Sequence, residues 1–445
     1  MSIRNFKLLI ILITIILLVV LVSIIPKKPT ETTEQSKTEK GINFFADFLP
    51  FGKNKNNTEN GPEAPSDISN NGEQSNKNNN LSLTKISSMP ISGFGVFQKE
   101  RFVDIPVVIP TPEANVSTNP TIENTPTAPP TEFAPMLRYA EKVSGHIYQT
   151  FADILNEKKT SQTTVRGVHD VYFGDNGKSV IMRYLKIDGA TIASFAGSLP
   201  EDVLGADSSN NEIKGSFLPE NVLDLSISPD TTKIFYLSKV REKIIGIVST
   251  PLGLQKTQIF DSNFTEWLSD WPTENMITLT TKPSAFVPGY MYTLNPQNKN
   301  WTRILGGING LTTLTSPDGR VVLFNDEKLN LTIYDTLTKE SRNLKTKTLP
   351  EKCVWGKSSR VIYCLVPFFL DEYTYPDSWY QGEISFFDKI WKIDLTTGYE
   401  TMILDPEVSN KGERVDGINP TLDENENYLF FMNKKDSYLW KLDLK

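Results

Sequence analysis

Two cysteines, two histidines and a scatter of carboxylates are the chemical specialists of this 445-residue chain. Cys353 lies in Lys352-Cys353-Val354-Trp355 and Cys364 in Val361-Ile362-Tyr363-Cys364, on either side of a polar turn from Lys357 to Arg360. Counting outward from the turn, Trp355 faces Ile362 and Cys353 faces Cys364. Directly opposed residues of paired strands carry Cβ atoms about 4.5–5.5 Å apart, close to bridging range. A disulfide is expected if the domain lies outside the cytoplasm, with two buried free thiols as the alternative. His146 reads as mid-strand and His169 as the start of an innermost strand, where an imidazole packs more often than it acts as a base. Asp170, Asp224, Glu266 and Asp416 fall near the starts of such strands. They form either a weak oxygen-ligand set for a cation or solvated charges at a channel mouth. No Gly-x-Ser-x-Gly elbow, Walker loop or His-x-x-x-His pair is present, so no catalytic residue and no cofactor is expected.

Composition narrows the classes further. Two His and two Cys cannot build a zinc-finger array, a haem site or a disulfide-dense scaffold. A net charge of -7 and a pI near 5.3 argue against a nucleic-acid partner. The residues from 367 to 388 stand out. They hold Phe368, Phe369, Tyr373, Tyr375, Trp379, Tyr380, Phe386 and Phe387 among Asp371, Glu372, Asp377 and Glu383. Aromatics mixed with acids suit a protein or glycan contact surface, and Tyr373, Tyr375, Trp379 and Tyr380 are the candidate contact residues. The alternative is that these rings pack onto the body of the domain.

These residues need a scaffold, and repeats supply it. Leu311 to Phe324 reads as strand, Ser-Pro-Asp318-Gly319 turn, strand, followed by strands Asn330 to Asp335 and Ser341 to Leu344. Further copies run Val168 to Met182, Leu223 to Leu237 and Asp416 to Phe431, the last closing on Tyr438 to Asp443. Weaker copies start near Trp267 and Cys353. Turn centres near 175, 230, 274, 318, 358 and 425 fit a four-stranded blade repeat with insertions. Alternation and β-branched or aromatic enrichment indicate strands.

Ser-Pro-Asp-Gly before an apolar strand, then Ile333-Tyr334-Asp335 or Leu439-Trp-Lys-Leu-Asp443, resembles the TolB-type, WD-like β-propeller repeat of membrane-associated bacterial proteins. Trp391 to Gly398 is another strand and turn of that kind. The resemblance spans residues 81–445 and implies an all-β, seven-bladed propeller, with six blades as the alternative. It implies little about activity, because propellers host many functions. The last copy supplies three strands. Leu81 to Ser87 is expected to be the missing fourth, pairing beside that blade and closing the ring. Ile91 to Phe97, Met136 to Lys142 and His146 to Phe151 then make blade one.

The rest of the chain reads differently. Residues 1–7 are a short tail. Leu8 to Ile25 is an uncharged run of 18 residues, long enough at about 1.5 Å per residue to span a bilayer. No small-x-small cleavage site follows, so a single-pass anchor is expected, N-terminus cytoplasmic and propeller outside. Residues 26–80 read as a disordered linker, with ten Asn from Lys53 to Asn80. An apolar island at Phe44 to Phe51 interrupts it, suited to docking or to a short helix. Residues 106–135, with eight Pro and six Thr, read as an extended loop. The expected role is a protein-interaction scaffold in an envelope or cell-surface assembly. The alternatives are a carbohydrate-binding module and a propeller lyase or glycosidase.

Overall fold

The computed structural model describes residues 81–103, 129–201, 211–409 and 412–445. The expected span at Leu8 to Ile25, the linker 26–80 with its Phe44 to Phe51 island, and most of the Pro/Thr loop lie outside these residues. Among the described residues no helix is long and apolar enough to cross a membrane.

Strand β1 (Leu83–Lys85) precedes the first blade. Blade one is β2 (Ile91–Phe102), β3 (Thr131–Glu141), β4 (Ile147–Phe151) and β5 (Lys158–Lys159). Blade two is β6 (Val168–Gly174), β7 (Ser179–Leu185), β8 (Ile192–Ser198) and β9 (Lys214–Phe217). Blade three is β10 (Val222–Ile227), β11 (Ile234–Val240), β12 (Lys243–Ser249) and β13 (Thr257–Ser262). Blade four is β14 (Trp267–Thr273), β15 (Met276–Thr281), β16 (Pro288–Leu294) and β17 (Trp301–Asn309). Blade five is β18 (Thr313–Thr315), β19 (Val321–Phe324), β20 (Asn330–Asp335) and β21 (Ser341–Lys347). Blade six is β22 (Cys353–Trp355), β23 (Val361–Pro367), β24 (Asp388–Asp394) and β25 (Glu400–Leu404). Blade seven is β26 (Gly417–Leu422), β27 (Tyr428–Asn433) and β28 (Leu439–Asp443), with β1 as its outer strand. The result is a seven-bladed β-propeller of four-stranded antiparallel sheets.

Ring closure follows the expected route. Leu83, Thr84 and Lys85 pair with Leu442, Lys441 and Trp440, so the start of the domain covers the open edge of its end. The six-blade alternative falls because β2 to β5 form a complete sheet of their own. One boundary shifts. Thr131 to Pro135 belong to β3, with Pro135 opposite Gln98, so the Pro/Thr loop ends before 131.

Middle strands are buried on both faces because a blade lies on either side. In β27, Leu429, Phe430 and Phe431 are all inaccessible. Tyr363, Leu365 and Ile390 of blade six pack with Leu429, Phe431, Trp440 and Leu442 of blade seven. Each such side chain contributes about 1.5–3 kcal/mol of transfer free energy.

The Ser-Pro-Asp turns hold the inner hairpins by one repeated device. Ser228 Oγ donates to Asp230 Oδ1 at 2.5 Å and accepts from Lys233 N at 2.9 Å. In blade five, Ser316 Oγ donates to Asp318 Oδ1 at 2.6 Å and accepts from Val321 N at 2.9 Å. The next residue must turn left-handed, and Gly319 does so at φ 72° without a Cβ clash.

Candidate functional site: a braced aromatic insertion on blade six

The segment between β23 and β24 carries a helical turn, α1 (Asp377–Tyr380), and folds against the propeller. Asp377 Oδ2 accepts from Ala285 N of blade four at 2.7 Å. Tyr375 OH donates to Asp371 O at 2.9 Å, and the Trp379 ring stacks on Phe386 at 5.9 Å. Leu329 and Leu349 of blade five close this small core from below.

Beneath the rings sits a buried charge cluster. Lys352, on the approach to β22, sends Nζ to Asp416 Oδ1 at 2.6 Å, Asp388 Oδ2 at 2.7 Å and Gly417 O at 2.8 Å. All three charged side chains are wholly out of solvent. Asp416 also accepts from Trp379 Nε1 at 3.0 Å and Phe386 N at 3.0 Å. Asp388 Oδ2 accepts from Gly417 N at 2.7 Å, while its Oδ1 has no partner. Glycine is required at 417 because an added Cβ would lie 2.2 Å from Leu365 Cδ2.

Burial alone would push the Lys352 ammonium down, and the two carboxylates more than offset this and raise it. Burial lifts Asp388 up to about 6, with Lys352 pulling the other way and Asp416 adding to the rise. Lys434 lies 3.8 Å over the Trp379 ring, donates to the Trp379 carbonyl, and is lowered by burial. Ions in such a site survive only with full pairing.

The outer surface of the insertion has a different character. Phe368, Phe369, Tyr373 and Tyr380 are exposed. Lys389 stands 3.8 Å over the Phe368 ring and Lys435 4.0 Å over Phe387. A groove of about 540 Å³ runs beside Phe368 and Phe369, lined also by Lys345, Lys347, Val366 and Trp391. A smaller one of about 220 Å³ lies between Phe369, Tyr373 and Phe387. Rigid exposed rings flanked by cations suit an apolar partner surface with negative charge.

The four candidate contact residues therefore divide. Tyr373 and Tyr380 face solvent. Tyr375 and Trp379 are 6% and 3% exposed and belong to the interior, because their rings complete the core over Phe386. Phe368 and Phe369 take their place on the surface.

The four acids do not converge. Asp170 pairs with Arg183 at 3.0 Å, Glu266 with Lys282 at 2.8 Å, and Asp416 with Lys352. Asp224 Oδ2 accepts from both N and Oγ of Ser269 at 2.6 Å, tying blade three to blade four. Among the described residues no group of three or more His, Cys, Asp or Glu is placed to hold a metal ion. His146 stands just before β4, not inside it, with Nε2 3.1 Å from Thr164 Oγ1. A further pair escaped the sequence reading. Asp270 keeps an exposed surface, yet desolvation by the surrounding protein and the charge of nearby Asp224 raise it, and burial raises Asp224 in turn.

Cys353 and Cys364 are paired in register and joined by a disulfide. They sit in the core between blades five and six, against Leu323, Leu331 and Ile333.

No protein-family model matches this chain, and no curated protein matches it in sequence. Solved structures similar to it include an oligogalacturonate lyase in complex with manganese, at 11% identity and a TM-score of 0.45, covering 70% of this chain and 85% of the other. An oligogalacturonate lyase from Vibrio parahaemolyticus is similar at 9% identity and a TM-score of 0.45, covering 70% of this chain and 86% of the other.

Proposed function

We propose that this chain is a membrane-anchored, extracytoplasmic β-propeller that works as a protein-interaction scaffold in an envelope or cell-surface assembly. The observation that carries the reading is the blade-six insertion. Its inner rings and three buried charges brace it, while Phe368, Phe369, Tyr373 and Tyr380 are held out to solvent. Ordered exposed aromatics are the usual anchors of an interface, because little side-chain entropy is lost on docking. The uncharged run Leu8 to Ile25 supports the anchor, and the Cys353–Cys364 bridge supports the outer location. The hydrogen-bonded Ser-Pro-Asp turns support kinship with TolB-type repeats.

The test is in-cell crosslinking and pull-down of the full chain beside a variant with Phe368, Phe369, Tyr373 and Tyr380 changed to Ala. The partner should be lost with the fold intact by circular dichroism. Retention of the same partner would remove the insertion as the contact surface.

A second reading, a propeller lyase or glycosidase, is favoured by Asp224 and Asp270 on the inner strands of adjacent blades, both raised above the ordinary carboxylate value by desolvation. Cleavage of any member of a glycan panel, lost in Asp270→Asn, would establish it. An inert wild-type chain across the panel would dismiss it.

A further inference from the structure

We infer that the Lys352 amine and the Asp388 carboxyl condense into an intramolecular amide bond, with Asp416 as the base that frees the amine. Lys352 Nζ lies 2.7 Å from Asp388 Oδ2 and 2.6 Å from Asp416 Oδ1, with no solvent at any of the three side chains. The Trp379 and Phe386 rings stand 5.2 Å and 5.3 Å from the nitrogen and exclude water. An amine, a carboxyl and a second carboxylate thus share one dry cavity.

The two carboxylates are not equivalent. Asp416 accepts from the Trp379 indole, the Phe386 amide and Lys352, so that both of its oxygens take donors. Asp388 has both of its donors, Gly417 N and Lys352, on Oδ2. Its buried Oδ1 has none, so that oxygen is the one free to carry a proton and depart. Burial raises Asp388 above the ordinary aspartate value, which eases its protonation beside the unpartnered Oδ1.

The step balances without an oxidant or reductant. Asp416 takes one proton from the Lys352 ammonium. The freed nitrogen lone pair attacks Asp388 Cγ and a C–N bond forms. The Cγ–Oδ1 bond breaks, and the hydroxyl leaves with a second nitrogen proton as water. The products are a neutral amide, one water and a protonated Asp416.

Two physical effects favour it. Fixing the reactants raises their effective concentration to about 10⁵–10⁸ M, which offsets the unfavourable equilibrium of amide formation in water. Condensation also removes a buried ion pair whose desolvation is costly. The bond would tie the entry of β22 to the entry of β24 and lock the base of the insertion.

Intact-mass spectrometry of the full-length, reduced and denatured chain decides the matter. The expected mass is one water below the sequence, with a branched tryptic peptide joining the Lys352 and Asp388 segments and no cleavage after Lys352. Lys352→Met should show its full sequence mass. A wild-type chain at full mass, cleaved after Lys352, would overturn the proposal. A branch at Asp416 would overturn the assignment of acceptor and base.

Discussion

Lys352 and Asp416 meet at 2.6 Å in the interior although 64 residues separate them. One leads into blade six and the other into blade seven, so their contact fastens two blades beneath the aromatic insertion. Lys352→Met removes the one group that partners both buried acids, whether as an ammonium or as the nitrogen of the amide inferred above. The expected cost is about 3–5 kcal/mol by urea unfolding, as for other broken buried pairs. A change under about 1 kcal/mol would mean that water reaches the acids in the folded chain.

Trp379 and Phe368 make a contrasting pair in one insertion, the first 3% and the second 64% exposed. Trp379→Ala opens a cavity and is expected to cost about 3–5 kcal/mol. Phe368→Ala should stay within about 0.5 kcal/mol, as exposed positions do. Thermal melts of the two variants separate these outcomes, and equal losses would contradict the assigned orientation.

Strand β1 covers β28, and Leu439 N donates to Ser87 Oγ at 3.0 Å just beyond the paired residues. Deleting residues 81–90 bares that edge and removes Leu81, Leu83 and Ile86 from the flanking cores. The melting temperature should fall by several degrees. An unchanged melting curve would refute closure by this strand.

The Cys353–Cys364 bridge spans a sequence separation of 11. Replacing both cysteines with Ala should cost about 2–3 kcal/mol, from the freed loop and the lost packing. Alkylation of the native chain without reductant should label neither residue. Two labelled thiols would argue against the extracytoplasmic placement.

Asp270 sets a pH dependence. Its folded pKa lies above the usual carboxylate value, so the folded state holds the proton more tightly than the unfolded one. The stabilisation is complete below the ordinary aspartate range and is lost as pH rises through the raised value. Asp270→Asn should therefore melt higher than wild type at pH 7 and match it near pH 3. The gap stays small because solvent still reaches this side chain. A variant that melts lower at pH 7 would reverse the sign and reject the argument.

Much of the architecture was legible because it is local. A hairpin's register is counted from its turn, which is why the facing of Cys353 and Cys364, and of Trp355 and Ile362, could be read from the polar run between them. Ring closure was legible too, since a three-stranded final copy and an orphan strand at Leu81 imply each other. The blade-six site was not. Lys352, Asp388 and Asp416 stand on three separate segments, and no spacing in the chain relates them. Asp416 alone drew notice, in the wrong company. The ring-rich stretch from 367 to 388 showed that something must pack or bind there, but not which rings turn inward. Composition is blind to that choice. It is made by the volume over Leu329 and Leu349, which Tyr375, Trp379 and Phe386 fill, leaving Phe368 and Phe369 outside. Short-range pairing can be counted along a chain, whereas the burial of a charge or a ring depends on surfaces that meet only when distant blades close.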